Sequence, residues 1–437
     1  MNPAACRAYL RDLQRFGIKL GLENMAKILA SFGDPQHSFP SIHVAGTNGK
    51  GSVCAMLAEI LTLHDLKAGL YTSPHLVRIE ERIRIGGAEI SSRDFCRLTL
   101  KVKLRIGRLL ARGKLEAHPT FFEVLTLIAF LYFRERKVDV AVLEVGMGGR
   151  FDATNVVTPL LSIITSVSKD HQEHLGTTVS RIAFEKAGIV KPFVPVVCGA
   201  GAPIAVRVVR ERAGDLGAPF FNVFGRGHGL TAEKKGDRSI FRYSFDGVIF
   251  RLTPGLRGEH QGENAAVAAA SARILSRIWR PLEQKKIVAG ITRARWEGRL
   301  ETVSNKPLVL LDGAHNEGGA AALSKYLRDY RSEKPVLVFA MMKDKAIRRV
   351  VSLLFPLAKR IILTSIPYSR VAAPADILRF SRPFKDKITV QPFLSAAVEL
   401  AKSAAGPRGL VVVTGSLFLI GAFKKGLGGK ACSTRKS

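Results

Sequence analysis

Between Ile42 and Leu61 the chain has little freedom of fold. A short apolar run, Ile42-His-Val-Ala45, enters the glycine-rich turn Gly46-Thr-Asn-Gly-Lys-Gly-Ser52. Val53, Met56, Leu57, Ile60 and Leu61 then recur at helical spacing, so a strand must end in a tight turn that opens a helix. Gly46, Gly49 and Gly51 carry no Cβ, and the backbone can curl until its N–H groups face phosphate oxygens at a helix N-terminus. On this reading Asn48, Gly49, Lys50, Gly51 and Ser52 bind ATP, with Lys50 on the outer phosphates and Ser52 near Mg²⁺. The spacing of the glycines differs from the common form of such a loop, and a glycine-rich turn with an accidental lysine is the plainer alternative.

Beyond this unit, short branched apolar runs alternate with helix-like stretches, which argues for an α/β fold on parallel sheet. Residues 42–45, 138–145 and 160–167 are apolar almost throughout, as central parallel strands are. Ligands bind beyond the C-terminal ends of such strands, so residues 46–52, 146–155 and 168–171 are expected to converge. Residues 124–133 are about half the roughly 20 apolar residues a bilayer demands and read as a buried helix. Residues 222–252 alternate more and are expected to form antiparallel strands. A break follows near 296–301, after which 308–311, 336–340, 360–364 and 410–414 mark a second series of strands.

Composition narrows the class. A chain of 437 residues with 47% hydrophobic content can bury two or three cores. Cys6, Cys54, Cys96, Cys198 and Cys432 are odd in number and lack metal-like spacing, and no secretory signal core opens the chain, so a cytoplasmic protein without membrane association is expected. Lys and Arg number 67 against 36 Asp and Glu, a formal net charge of +31. That charge attracts ATP, acidic substrates and, non-specifically, nucleic acid. There is no zinc-finger spacing and no aromatic RNA-binding signature, and the cations are scattered along the sequence except in the tail. The expectation is non-specific polyanion affinity without a specific nucleic-acid partner.

Gly-Thr-Asn-Gly-Lys-Gly-Ser is similar to the nucleotide loop of the Mur ligase superfamily, and the rest of the chain resembles its folylpolyglutamate synthase/dihydrofolate synthase branch. The resemblance rests on Phe16-Gly-Ile-Lys-Leu-Gly-Leu22, Phe32-Gly-Asp-Pro35, Tyr71-Thr-Ser-Pro-His-Leu76, Thr120-Phe-Phe-Glu123, Leu143-Glu-Val-Gly-Met-Gly-Gly-Arg-Phe-Asp-Ala-Thr-Asn155, Asp170-His171, Glu185-Lys-Ala-Gly188, His260-Gln-Gly-Glu-Asn264, Gly298-Arg299 and Asp312-Gly-Ala-His-Asn316. It implies an α/β chain in which a P-loop-containing parallel-sheet ATPase domain is followed by a smaller Rossmann-like domain. The expected division is 1–297 for ATP and pterin binding, 298–423 for a glutamate-ligase domain, and 424–437 for a disordered basic tail.

The resemblance also assigns roles. It implies Mg²⁺, two ions in all and with K⁺ as a further candidate, held by Ser73, Glu144 and His171; a solvated glutamate at the sheet rim and a loop histidine are the plainer alternatives. Lys186 matches a lysine that relatives carry as an Nζ-carboxylate, against the default of a surface lysine beside Glu185. Lys50, Glu144, His171 and Lys186 are the implied catalytic set. Thr120, Phe121, Phe122, Glu123, Phe151, Asp152 and Ala153 resemble a pterin pocket, although one of the two adjacent phenylalanines could belong to a helix core. Asn264, Arg299, Asp312 and His315 resemble contacts to ATP, with Arg299 placed to clamp phosphate or else only a solvated hinge residue. Glu317 stands where the family usually has proline, which puts the rigidity of that loop in doubt.

The implied reaction is ATP-dependent amide formation: L-glutamate joins dihydropteroate, or a reduced folate that already carries glutamate, through an acyl phosphate, in a monomer. Three rivals stand beside it. A peptidoglycan Mur ligase normally has a further domain before its loop, and 45 residues precede Gly46 here, too few for one. A P-loop ATPase stimulated by nucleic acid would explain the charge but not residues 120–123 and 152–155. A non-catalytic binder would require decay of a site whose Lys50, Glu144 and His171 are present.

Overall fold

The computed structural model describes residues 2–17, 21–235, 238–330 and 333–433. Five helices of the first half carry labels: α1 (Pro3–Asp12), α2 (Glu23–Ala30), α3 (Lys50–Leu63), α4 (Ser92–Ala111) and α5 (Phe121–Glu135). Strands β1 (Ser41–Ala45), β2 (Ala68–Tyr71), β3 (Ile83–Ile85), β4 (Ala88–Glu89), β5 (Val140–Glu144), β6 (Leu161–Ile164), β7 (Val196–Cys198) and β8 (Phe220–Asn222) form one sheet in the order β4-β3-β2-β5-β1-β6-β7-β8. Every residue of β1, β5 and β6 is buried, which is why their sequences are apolar without alternation. β1 pairs in parallel with β5 on one side and β6 on the other, so the chain leaves all three central strands at the same edge.

Both faces of that sheet are covered. α3 packs under the helices His260–Ile278 and Gln284–Arg293; a Cβ on Gly290 would lie 2.6 Å from the Ile60 side chain, so this contact needs a glycine. α5 lies on the other face with α4 and α1, and residues 124–133 are buried as expected. β9 (Gly229–Lys235), β10 (Arg238–Phe245) and β11 (Val248–Leu252) make the expected antiparallel sheet, whose aromatic residues Phe241, Tyr243, Phe245 and Phe250 join the core above α3.

After Trp296 a six-stranded sheet forms from β12 (Glu301–Asn305), β13 (Leu308–Asp312), β14 (Val336–Phe339), β15 (Arg360–Leu363), β16 (Ile388–Val390) and β17 (Leu410–Thr414), in the order β12-β13-β17-β14-β15-β16. All its pairings are parallel except that of β12 with β13. The chain from Lys424 does not leave the fold as an unstructured tail: the helix Leu417–Ser433 carries it as far as Ser433, and residues 434–437 lie outside the described residues. Among the described residues no helix is long and apolar enough to cross a membrane.

Candidate active site

The turn after β1 is held by the loop after β6. The Asn48 N–H donates to Ser166 Oγ at 2.9 Å, and Thr165 Oγ1 and Ser166 Oγ donate to the Asn48 carbonyl at 2.6 and 2.9 Å. This clasp brings the backbones so close that a Cβ on Gly46 would sit 2.0 Å from Thr165 Oγ1, and one on Gly49, at φ +84°, would sit 2.2 Å from Asn264 Oδ1. Lys50 opens α3 and folds back over the turn, its Nζ 3.0 Å from the Gly46 carbonyl and 3.3 Å from that of Thr47. The result is a helix N-terminus and a lysine ammonium facing one cavity of about 420 Å³.

Glu144 ends β5 level with Val44 and enters the same cavity. Burial raises its carboxyl, against the pull of Lys50, the Ser73 N–H and Arg299; the Ser73 amide donates to Oε2 at 2.9 Å. Oε1 and the Ser73 hydroxyl remain available, which fits a Mg²⁺ that keeps several phosphate and water ligands. No group of three or more His, Cys, Asp or Glu residues suited to a metal occurs among the described residues. Burial lowers the His171 imidazole to about 4, which keeps it neutral as a metal ligand must be, and in this arrangement its Nε2 faces the ammonium of Lys345 at 3.4 Å.

That lysine, which the sequence reading missed, joins a cluster of residues from motifs it had named. Lys345 Nζ donates to Asp170 Oδ1 at 2.6 Å, Asn316 Nδ2 donates to Asp170 Oδ2 at 2.8 Å, and His315 Nε2 lies 3.8 Å from the same carboxylate. Burial alone would raise Asp170, yet its neighbours hold it well below the usual carboxylate range. With His171 and His315 both pushed down to about 4, Lys345 is the charge it faces at neutral pH. Asn316 also exchanges amide hydrogen bonds with Asn48 at 3.0 and 3.3 Å, tying the second domain to the phosphate turn. Asn316 closes a motif already singled out, and Lys345 follows the end of β14 as the other site loops follow their strands; those were the available signals.

Lys186 lies in the helix Val179–Ala187, 3% exposed, and lines the cavity. No carboxylate among the described residues pairs with it, and burial lowers its amine to about 7.

The expected pterin wall divides. Phe122 and Phe151 line the cavity. Phe121 does not: half-buried at the start of α5, its ring lies 5.4 Å from the Arg82 guanidinium and packs against the edge of the core. Thr120 and Glu123 reach the cavity while capping α5, since Glu123 Oε2 accepts from the Thr120 N–H at 2.7 Å and hydroxyl at 2.8 Å. Asp152 holds its own loop through the amides of Met147 and Thr154, and Ala153 lines the same wall. Arg82, buried and donating to His75 Nδ1 at 2.9 Å, is a further cavity cation that no motif announced.

On the other side of the phosphate turn a second cavity, about 530 Å³, is lined by Asn48, Ser52, Asn264, Asp312 and His315, with Leu230, Phe241 and Tyr326 supplying apolar surface. Asp312 spends both oxygens on the backbone amides of Leu300 and Ala314, each at 3.0 Å, so it shapes this wall. Arg299 borders both cavities and bridges the two sides.

Comparison with known proteins agrees with this geometry. Residues 44–272 match the Mur ligase middle domain, and 298–417 match the Mur ligase glutamate ligase domain. The dihydrofolate synthase/folylpolyglutamate synthase of Bacillus subtilis is 34% identical over 96% of this chain and 98% of its own. The Mycobacterium tuberculosis folylpolyglutamate synthase complexed with ADP superimposes with a TM-score of 0.90 at 29% identity, covering 98% of this chain and 99% of that one. E. coli FolC in complex with DHPP and ADP gives 0.86 at 28% identity, covering 98% of each.

Proposed function

The chain belongs to the folylpolyglutamate synthase/dihydrofolate synthase family, and on that premise we infer that it is an ATP-dependent ligase joining the amine of L-glutamate to the carboxylate of dihydropteroate and of reduced folates, with ADP and phosphate released. The observation that carries this reading is a single cavity. It brings Lys50 and Glu144 together with the aromatic faces of Phe122 and Phe151, and with Lys345 and Arg370 from the second domain. That the E. coli relative binds both ADP and DHPP supports one chain holding a nucleotide and a second substrate together.

A carboxylate resists amines because oxide would have to leave. Transfer of the γ-phosphoryl group turns it into an acyl phosphate, from which phosphate leaves as the glutamate amine attacks. Lys50 exchanges its two carbonyl contacts for phosphate oxygens, and Arg299 meets them from the facing side. Mg²⁺, held by Glu144 and the Ser73 hydroxyl, neutralises phosphate charge when bound. Phe122 and Phe151 orient the pterin ring, Arg82 faces the acceptor chain, and Lys345 and Arg370 receive the carboxylates of glutamate. Docking of the two domains keeps water from the acyl phosphate. With all these groups in one chain, the active form is a monomer.

Lys186 supports a further part of the reading. A buried amine that pairs with no carboxylate among the described residues, facing the cavity, is poised to capture carbon dioxide as a carbamate whose negative charge Lys50 then faces. A carbamate resonance in the ¹³C spectrum under ¹³C-bicarbonate, absent from Lys186→Met, is expected; a spectrum identical in both proteins contradicts it. For the reaction, acceptor labelled with ¹⁸O in its carboxylate should transfer one label to the released phosphate. Unlabelled phosphate from a turning-over enzyme rules out the acyl phosphate.

A further inference from the structure

The active-site cavity uses few of the cations behind the net charge of +31. Six of the others fall within one twenty-residue stretch of sequence, along α4 and its C-cap. Arg93, Arg97, Lys101, Arg105, Arg108 and Arg112 recur every three or four residues and are all exposed. At 100° per residue they fall within an arc of about 120°, and at 1.5 Å per residue they extend over roughly 28 Å. The opposite face, with Phe95, Leu98, Val102 and Ile106, is buried against α1 and α5. Counter-charge is confined to one end: Asp94 and Glu135 pair with Arg97, Lys101 and Arg136. Toward the other end Arg105, Arg108 and Arg112 form no ion pair among the described residues. The patch extends to α1, where Lys103 Nζ lies 5.1 Å over the Tyr9 ring and Arg11 is exposed. No residue of α4 borders the cavities around the phosphate turn.

We propose that the solvent face of α4 is a docking surface for the phosphate backbone of nucleic acid, bound without regard to sequence. A band of cations along one helix face matches a repeating anion, and five of the six are arginine, whose planar fork pairs with phosphate oxygens. The face suits a protein partner poorly, since among the described residues Leu104, 54% exposed, is the one large apolar side chain of α4 in water, and the nearby rings of Tyr9 and Phe32 are covered by Lys103 and Arg105. It suits a bilayer poorly as well, because the apolar side that would insert is already spent on the core. Binding through charge alone is salt-sensitive and leaves the ligase cavity open.

The test is fluorescence anisotropy with a labelled DNA duplex of arbitrary sequence, titrated over a salt series, using the full chain. Arg105→Gln/Arg108→Gln/Arg112→Gln should weaken binding at least tenfold at low salt and reduce the slope of log K against log salt by about three. A control, Arg348→Gln/Arg349→Gln/Arg379→Gln, removes the same charge from exposed positions of the second domain and should leave both nearly unchanged. Pterin-dependent ADP release by the α4 variant should equal that of the parent, which shows the fold intact. Equal losses in the two variants would mean that net charge, not this face, binds, and an unaffected α4 variant would overturn the proposal directly. Tighter binding to phosphatidylserine vesicles than to the duplex at the same salt would overturn it in favour of a membrane.

Discussion

Glu144 and Asp152 are both buried carboxylates at the edge of the same sheet, and they differ in what their oxygens touch. Asp152 accepts from the Met147 amide through Oδ2 and from the amide and hydroxyl of Thr154 through Oδ1. Among the described residues Glu144 accepts only the Ser73 amide, through Oε2. Asp152→Ala should therefore cost about 1–3 kcal/mol of stability by leaving buried donors unpaired, measured by denaturant unfolding. Glu144→Gln should keep the melting temperature and lower kcat at least a hundredfold. Lys50→Ala should likewise abolish turnover while the fold persists, because both of its hydrogen bonds lie within its own loop. Lys186 gives a pH signature. Its amine falls from 10.5 to about 7 on folding, so between those values the unfolded chain holds a proton that the folded site refuses. The burial penalty is full below pH 7 and is relieved as pH rises toward 10.5, and Lys186→Met should flatten the accompanying rise in melting temperature.

At the scale of elements, the loops after β1, β5 and β6 could be read from sequence because fully buried parallel strands are apolar at every position, and their C-terminal ends fix where polar residues gather. β2, β7 and β8 could not. They run to three or four residues, and β2 carries Gly69, whose missing Cβ admits the Phe133 ring at 3.0 Å. Thr120 and Glu123 read as pocket residues, but the same pair is a helix capping box, and sequence does not separate the two. The Asn48–Asn316 pair spans 268 positions, a contact that only the folded chain reveals. Asn316→Ala removes both amide bonds and a donor to Asp170, so it should raise KM for ATP about tenfold while kcat falls less; each lost hydrogen bond is worth about 1 kcal/mol. An unchanged KM would mean that this bridge does not position the turn.

Across the whole molecule, chemistry depends on how the second domain sits on the first. The Lys345–Asp170 pair closes one side. On the other, the helix Leu417–Ser433 lies on the loop that carries Ser73, so close that a Cβ on Gly421 would be 2.0 Å from the Leu76 carbonyl, and Lys424 reaches Glu301 at 2.8 Å and Glu297 beside it. Gly421→Ala should push the helix away, lowering the melting temperature and, through the Ser73 loop, turnover; a variant that melts early but turns over normally would separate the two effects. The +31 charge and the helical spacing of Arg93, Arg97, Lys101 and Arg105 are both legible in the sequence, whereas the exposure of that face to solvent required the fold. The most direct test of the whole account is ADP release by the purified chain with ATP, Mg²⁺ and L-glutamate, comparing dihydropteroate, tetrahydrofolate and no pterin, with products identified by mass. Release that requires a pterin, with one glutamyl residue gained by each acceptor, is the predicted result; release indifferent to pterin, with no glutamylated product, would contradict it.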